Sequence, residues 1–285
     1  MSGSSNFGVL EKNHLQAVAF YKHSYSDAFY KGDSIVDFKY LINGYFDYSG
    51  LNLSYGFTKK FTAQADLGYY INKTQNYYPD LPIPVHQLVG HGLADLSLLF
   101  KYNLFNSRDS VLSLTVSGGG KLPTGSYQEY TKEKVKLPRD VQSGTGAYSA
   151  IGGLDIKIVL AKKIPLLVSS KAEWNSLNPE NYQYGLSVTS SMATSIKIYK
   201  HFSFFLMVKN ENRKHDFDAV VNQEIASSGY FKLIAMPGFT CSFKNEWETG
   251  VYADLPVYQK YNGTQFGNKY AVSASVSKQF KLKKG

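Results

Sequence analysis

Three observations predict an all-β fold, a single antiparallel up-and-down barrel of about 12 strands. Apolar residues recur at every second position through most of the 285-residue chain, no comparable stretch keeps them at helical spacing, and short connections alternate with long ones. Successive strand side chains point to opposite faces, so each such stretch makes a strand with one greasy and one polar face.

The elements follow in order. The first strand is expected over 15–28. The second, 34–57, carries Phe38, Tyr40, Ile42 and Phe46 on even positions, then Leu51, Leu53, Tyr55 and Phe57 on odd ones. A regular strand cannot switch parity, so a bulge is expected near Tyr48, Ser49 and Gly50. The third, 61–72, sets Phe61, Ala63, Ala65, Leu67, Tyr69 and Ile71 against Thr62, Gln64 and Asp66. In the fourth, 94–105, Leu96, Leu98, Phe100, Tyr102 and Leu104 alternate with Asp95, Ser97 and Lys101. The fifth, 111–121, contains Leu112, Leu114 and Val116 and then three glycines, 118–120, which read as a bend or bulge. The sixth, 146–160, opposes Leu154, Ile156 and Ile158 to Asp155 and Lys157. Further strands are expected over 165–175, 182–199, 202–213, 229–243 and 246–255. The last, 268–282, ends with Val272, Ala274, Val276 and Phe280 on one parity and should close against the first.

Connections at 58–60, 107–110, 161–163, 200–201 and 244–245 are short. Those near 29–33, 73–93, 122–145, 176–181, 214–228 and 256–269 are long or polar. Short turns at one end, long loops at the other and an even strand count form the signature of a bacterial outer-membrane barrel, with the short turns and both termini on the periplasmic side. A soluble sandwich also alternates. Against it stand the strand length, near the roughly 9–11 residues that cross a bilayer at a tilt, and the charges on the polar parity. Tyr69, Phe105, Trp174, Tyr182, Phe202, Trp247 and Phe280 fall towards strand ends, as interfacial girdles require. The division expected is a short N-terminal periplasmic or lumen segment, 1–13, a transmembrane barrel, 14–282, and a tail, 283–285.

Composition excludes several classes. One cysteine, Cys241, cannot make a disulfide within the chain, and its parity faces it outward. No run is apolar enough for a spanning helix, and aromatics at 15% are too many for disorder. Met1 is followed by Ser, Gly and two further serines with no apolar core of an export signal, so the signal is expected to have been removed from this version. The net charge of +9 is spread over turns, loops and tail. Without a basic helix or stacking platform it suits anionic lipid headgroups rather than nucleic acid.

The polar parity defines the expected lumen: Asp37, Lys39, Asn43, Gln64, Asp66, Asp95, Lys101, Lys121, Asp155, Lys157, Lys171 and Glu173. It continues with Lys197, Lys209, Glu211, Lys232, Glu246, Glu248 and Asp254. Counting back from the turns sets Asp95 beside Lys121 and Asp155 beside Lys171. These charges make either a salt-bridged interior that stiffens the barrel or a polar track for solutes. No catalytic residue, metal site or cofactor is expected. His86 and His91 lie in a Pro-rich loop without a carboxylate pair. Only His215, followed by Asp216 and Asp218, resembles a hydrolase pair at a barrel rim, and loop tips carry such residues for solubility.

Gly90-His91-Gly92-Leu93-Ala94-Asp95 opens the fourth strand, Lys121-Leu122-Pro123-Thr124-Gly125 ends the fifth, and Ser143-Gly144-Thr145-Gly146 begins the sixth. That order resembles the outer-membrane barrels of the MetA-pathway of phenol degradation family, distant relatives of the fatty-acid transporter barrels. The likeness is specific from about Gly90 to Asn175 and architectural elsewhere. It implies a transporter-like barrel for small molecules, aromatic or otherwise hydrophobic ones among them, although about a dozen residues before the first strand are too few for a substantial plug domain. The expectation is therefore an outer-membrane channel, with outer-membrane lipid and a small solute as partners. The alternative is a closed structural or docking barrel with an envelope protein partner.

Overall fold

The computed structural model describes residues 7–109, 111–160 and 164–282. The expected turn at 161–163, Ser110 and the tail from Lys283 lie outside the described residues. Twelve strands form the wall. They are β1 (His14–Ser26), β2 (Leu41–Gly56), β3 (Phe61–Tyr77), β4 (Leu96–Asn106), β5 (Leu112–Leu122) and β6 (Ser149–Leu160). The others are β7 (Ile164–Asn175), β8 (Ser187–Tyr199), β9 (Phe202–Arg213), β10 (Tyr230–Ser242), β11 (Trp247–Phe266) and β12 (Tyr270–Lys281). Each pairs antiparallel with the next, and β12 returns to β1, with Phe280 opposite Leu15 and Ala271 opposite Ser24. Closure leaves no unpaired edge, which a sheet surrounded by hydrocarbon requires. No helix is long and apolar enough to cross a membrane among the described residues.

The burial pattern is inverted relative to a water-soluble barrel. Phe100, Met192 and Phe239 on the outer face are 51%, 52% and 60% exposed, whereas Asn52, Thr62 and Lys101 on the inner face are each 2% exposed. Apolar groups on the outside and polar ones inside are stable only when hydrocarbon surrounds the wall. Cys241 lies on the outward parity of β10, opposite Phe202 and Thr249.

The second strand differs from its sequence-based expectation. Its ladder with β1 runs without interruption from Tyr55 to Gly44, so no extra residue is inserted near Ser49. Near there the irregularity falls on β3, where Asp47 faces Asn72 and Tyr48 faces Tyr70, leaving Ile71 as the extra residue; the extra residue of β2 is Ile42, at its start, between the pairs Leu41–Tyr77 and Asn43–Asn76. The apparent parity switch has another cause: Phe46 and Tyr48 point into the lumen, where Phe46 lines a cavity and Tyr48 packs on Phe20 at 5.7 Å between ring centroids. The strand also starts later than expected. Residues 29–36 form a separate hairpin, Phe29–Gly32 with Ser34–Val36, that pairs with the loop end of β11. Asp37 and Lys39, expected in the lumen, follow this hairpin and are exposed outside the wall. Phe38 packs on Phe29 at 4.0 Å, which directs its charged neighbours to the solvent side.

Three further corrections concern turns and loops. The ladder of β5 passes through 118–120 in register with both neighbours, so the glycines mark no bulge. Glu246 lies exposed in the turn before β11 rather than in the lumen. Tyr182 belongs to a small sheet of Tyr182–Gln183, Phe217–Asp218 and Gln223–Glu224 at the loop end, where it is buried rather than interfacial.

Candidate functional site

The motif residues come together as a clamp. Asp95, just before β4, accepts hydrogen bonds from the Gly125 and Thr145 backbone N–H groups, both at 3.0 Å, and from the Thr145 hydroxyl at 2.6 Å. Thr124 donates to the Ala94 carbonyl at 3.0 Å. Cβ atoms at Gly125 or Gly144 would collide with the other's backbone, so both positions need glycine for this close approach. Asp95 therefore ties the loop after β5 to the wall. It does not pair with Lys121, which faces Ser97 in the register and bonds instead to Glu173 at 2.7 Å.

Above the wall's midpoint the clamped loop and the small sheet enclose a vestibule of about 1110 Å³. Tyrosines supply much of its lining, and several stand beside a cation. Lys73 lies 4.6 Å from the Tyr70 ring centroid, Arg139 lies 3.9 Å from that of Tyr182, and Lys232 lies 4.0 Å from that of Tyr230. Such contacts are attractive and strengthen as water is excluded. Asp216 is the knot that fixes the vestibule's far side. It accepts from Tyr182 Oη at 2.5 Å, Gly185 N at 2.7 Å and Arg213 at 2.5 Å. Burial and the bond to Asp216 push the Tyr182 phenol above its ordinary pKa. His215 turns away to the Ile225 carbonyl at 3.1 Å. Asp216 is thus engaged by structural partners, and no hydrolase-like pair is formed with His215.

Below the vestibule lies a charged belt. Lys209 bonds Glu211 at 3.0 Å and Asp254 at 3.4 Å, and Lys22 reaches Asp254 at 2.8 Å. Lys22 and Asp254 stand two strands apart, and the small Ala271 and Ser273 on β12 between them leave room for that contact. On the opposite wall, Asp66 accepts from Asn52 and from Gln64 at 3.0 Å. Lys101 is buried on β4 and has electrostatic partners that include Asp155 and Asp66. Asp155 accepts from Ser169 at 2.5 Å, because the register sets Leu160 opposite Ile164 and so Ser169 opposite Asp155. Lys171 faces Gly153 instead, correcting the expected Asp155–Lys171 pair by two residues.

Next comes an apolar layer. Leu167, Ala193, Phe205, Met207, Met236 and Tyr252 form one buried cluster, and Phe7 packs against it. The segment carrying Phe7 crosses the periplasmic mouth, held by Leu10 N to Thr62 Oγ1 at 2.8 Å and Asn13 N to Gly56 O at 2.8 Å. Gly56 lacks a Cβ that would collide with the Glu11 carbonyl there. A second cavity of about 760 Å³ follows, bordered by this segment, Asp155 and Lys157. Glu248 sits near the same end, 3.5 Å from Ser242 Oγ.

The vestibule's aromatic lining was not anticipated from sequence. Its signal is present: Tyr70 and Tyr230 share the parity of their charged neighbours Asp66 and Lys232. No group of three metal-ligating side chains occurs among the described residues.

With this geometry, known structures can be compared. The COG4313 outer membrane channel from Pseudomonas putida F1 superposes with a TM-score of 0.77 at 13% identity, covering 98% of this chain and 100% of that one. The chain has the fold of an outer-membrane channel. Weaker likeness extends to a Pseudomonas aeruginosa FadL homologue, with a TM-score of 0.45, 8% identity and coverage of 95% and 91%. The CymD monoaromatic hydrocarbon channel likewise gives 0.45, 8%, 96% and 90%. No protein-family model matches the sequence, and no curated protein does.

Proposed function

We propose that this barrel is a passive outer-membrane channel for small molecules, hydrophobic and aromatic ones foremost. The observation that carries the reading is the vestibule: a tyrosine-rich cavity, large enough for a small organic solute, enclosed within the barrel and fixed by the Asp95 and Asp216 bonds. Its aromatic faces and its placed polar and charged groups are the two elements that ligand pockets combine. Lys232 borders both it and the smaller space at the belt below. The motif resemblance to the MetA-pathway family and the overall likeness to the COG4313 channel support the same reading. The lumen charges then act as the polar track along which a solute passes. Reconstituted into liposomes, the barrel should speed entry of a small aromatic alcohol over protein-free vesicles. Equal rates would defeat the proposal.

The apolar cluster against which Phe7 packs favours a second reading, a closed barrel that docks an envelope protein. Under that reading neither solutes nor ions pass, even after the N-terminal segment is removed.

A further inference from the structure

The cations of the vestibule are not all neutralised. Lys121 is paired with Glu173, Arg213 with Asp216, and Arg139 lies 3.9 Å from Glu180. Lys73 and Lys232 have no ion-pair partner among the described residues; each donates to a neutral oxygen instead. Lys73 bonds the Gln142 carbonyl and Lys232 the Asn268 side-chain carbonyl, both at 2.6 Å. The vestibule's own carboxylates offer no matching vacancy for a cation: Glu173 and Asp216 are ion-paired, and Asp140 is exposed at the rim, bonded to Gln75 at 2.6 Å.

Position adds to the asymmetry. Lys232 is only 8% exposed and stands where the vestibule narrows into the belt. Three cations, Lys22, Lys209 and Lys232, face two carboxylates, Glu211 and Asp254, around that narrow space. Tyr230 and Tyr261, opposite each other on β10 and β11, flank the Lys232 ammonium at 4.0 and 5.2 Å. Carboxylates act on both lysines only from beyond ion-pair distance, Asp140 and Glu129 on Lys73 and Glu211 on Lys232. A charge held in a confined site without a direct ion pair is costly, and an entering anion relieves that cost. A neutral solute does not, and a cation adds to it.

We infer that the vestibule selects small aromatic carboxylates, with the carboxylate received first at Lys73 and then at Lys232 and the ring against the neighbouring tyrosines. This rests on the channel reading and names the solute class within it. A carboxylate joined to an ammonium makes charge-assisted hydrogen bonds of 2.7–2.9 Å, stronger than those a hydroxyl makes.

The test compares benzoate, benzyl alcohol and benzylammonium, which share a ring and differ in charge. Binding is measured by calorimetry on the detergent-folded barrel, and permeation on the reconstituted one. Benzoate should bind more tightly than benzyl alcohol by about tenfold or more, the ratio one charge-assisted hydrogen bond supplies. Benzylammonium should bind least. Lys232→Met should bring the benzoate to benzyl alcohol ratio towards one. Lys73→Met provides an independent variant should the first fold poorly, and Lys260→Met, on the exposed outer side of β11, is the control that keeps the ratio. Equal binding of benzoate and benzyl alcohol, or a ratio unmoved by both lumen variants, would overturn the inference. Permeation without a benzoate preference leaves the channel reading standing alone. Benzoate binding without permeation by any solute or ion upholds the site and defeats the channel.

Discussion

The extracellular and periplasmic halves of the lumen are built by the same twelve strands, yet they are held shut or open by different means. Above the belt, tyrosines and cations line a vestibule of about 1110 Å³, whose loops are fixed by the Asp95 and Asp216 carboxylates. Below it, Phe205, Tyr252 and their neighbours on β7 to β11 form an apolar cluster that narrows the bore, and Phe7 packs against it. The upper half is thus rigidly polar-anchored, while the lower closure depends on a short segment with few hydrogen bonds. The vestibule and the apolar closure below it are therefore separable features: one belongs to the wall and its loops, the other involves the chain ahead of β1.

Removing residues 1–12 breaks the comparison most severely. The apolar seal loses Phe7, and single-channel steps in a planar bilayer should become larger and more persistent than in the intact chain. Unchanged steps would place the constriction in the wall side chains alone. Next in size is Asp216→Asn. It strips the counter-charge from Arg213 in a largely buried site, where breaking a pair costs about 3–5 kcal/mol. Denaturant unfolding should show that loss, and protease should cut the loop at 214–229 faster.

Asp95→Ala should cost less, about 1.5–3 kcal/mol, the range for hydrogen bonds to a charged group. Limited proteolysis of the loop at 123–148 reads the effect directly; a loop as resistant as before would mean that the clamp is redundant. The smallest effect belongs to Lys121 and Glu173, whose side chains are 24% and 27% exposed. Their double-mutant coupling should be about 0–1 kcal/mol, as for solvated pairs.

The wall was legible because lipid outside and polar lumen inside impose a period of two on nearly every strand. Closure of β12 on β1 was legible for the same reason. What escaped was register, where a ladder shifted by two residues sets Lys171 opposite Gly153 rather than Asp155. Periodicity fixes which face a residue takes but not its partner along the ladder. The lumen aromatics escaped because a tyrosine reads as a girdle residue at either strand end, whichever face it takes. Phe46 and Tyr48 then looked like a bulge. The motif glycines and Asp95 announced a constraint, but only the folded loop shows that it fastens 125 and 145 to the head of β4.

Ion conductance of the intact and N-terminally shortened barrel in planar bilayers tests the central claim most directly. A passive channel gives discrete steps that grow when residues 1–12 are removed, with anions carrying more current than cations. No steps from either form, with the barrel shown to be folded and inserted, would contradict the account and leave a closed docking barrel in its place.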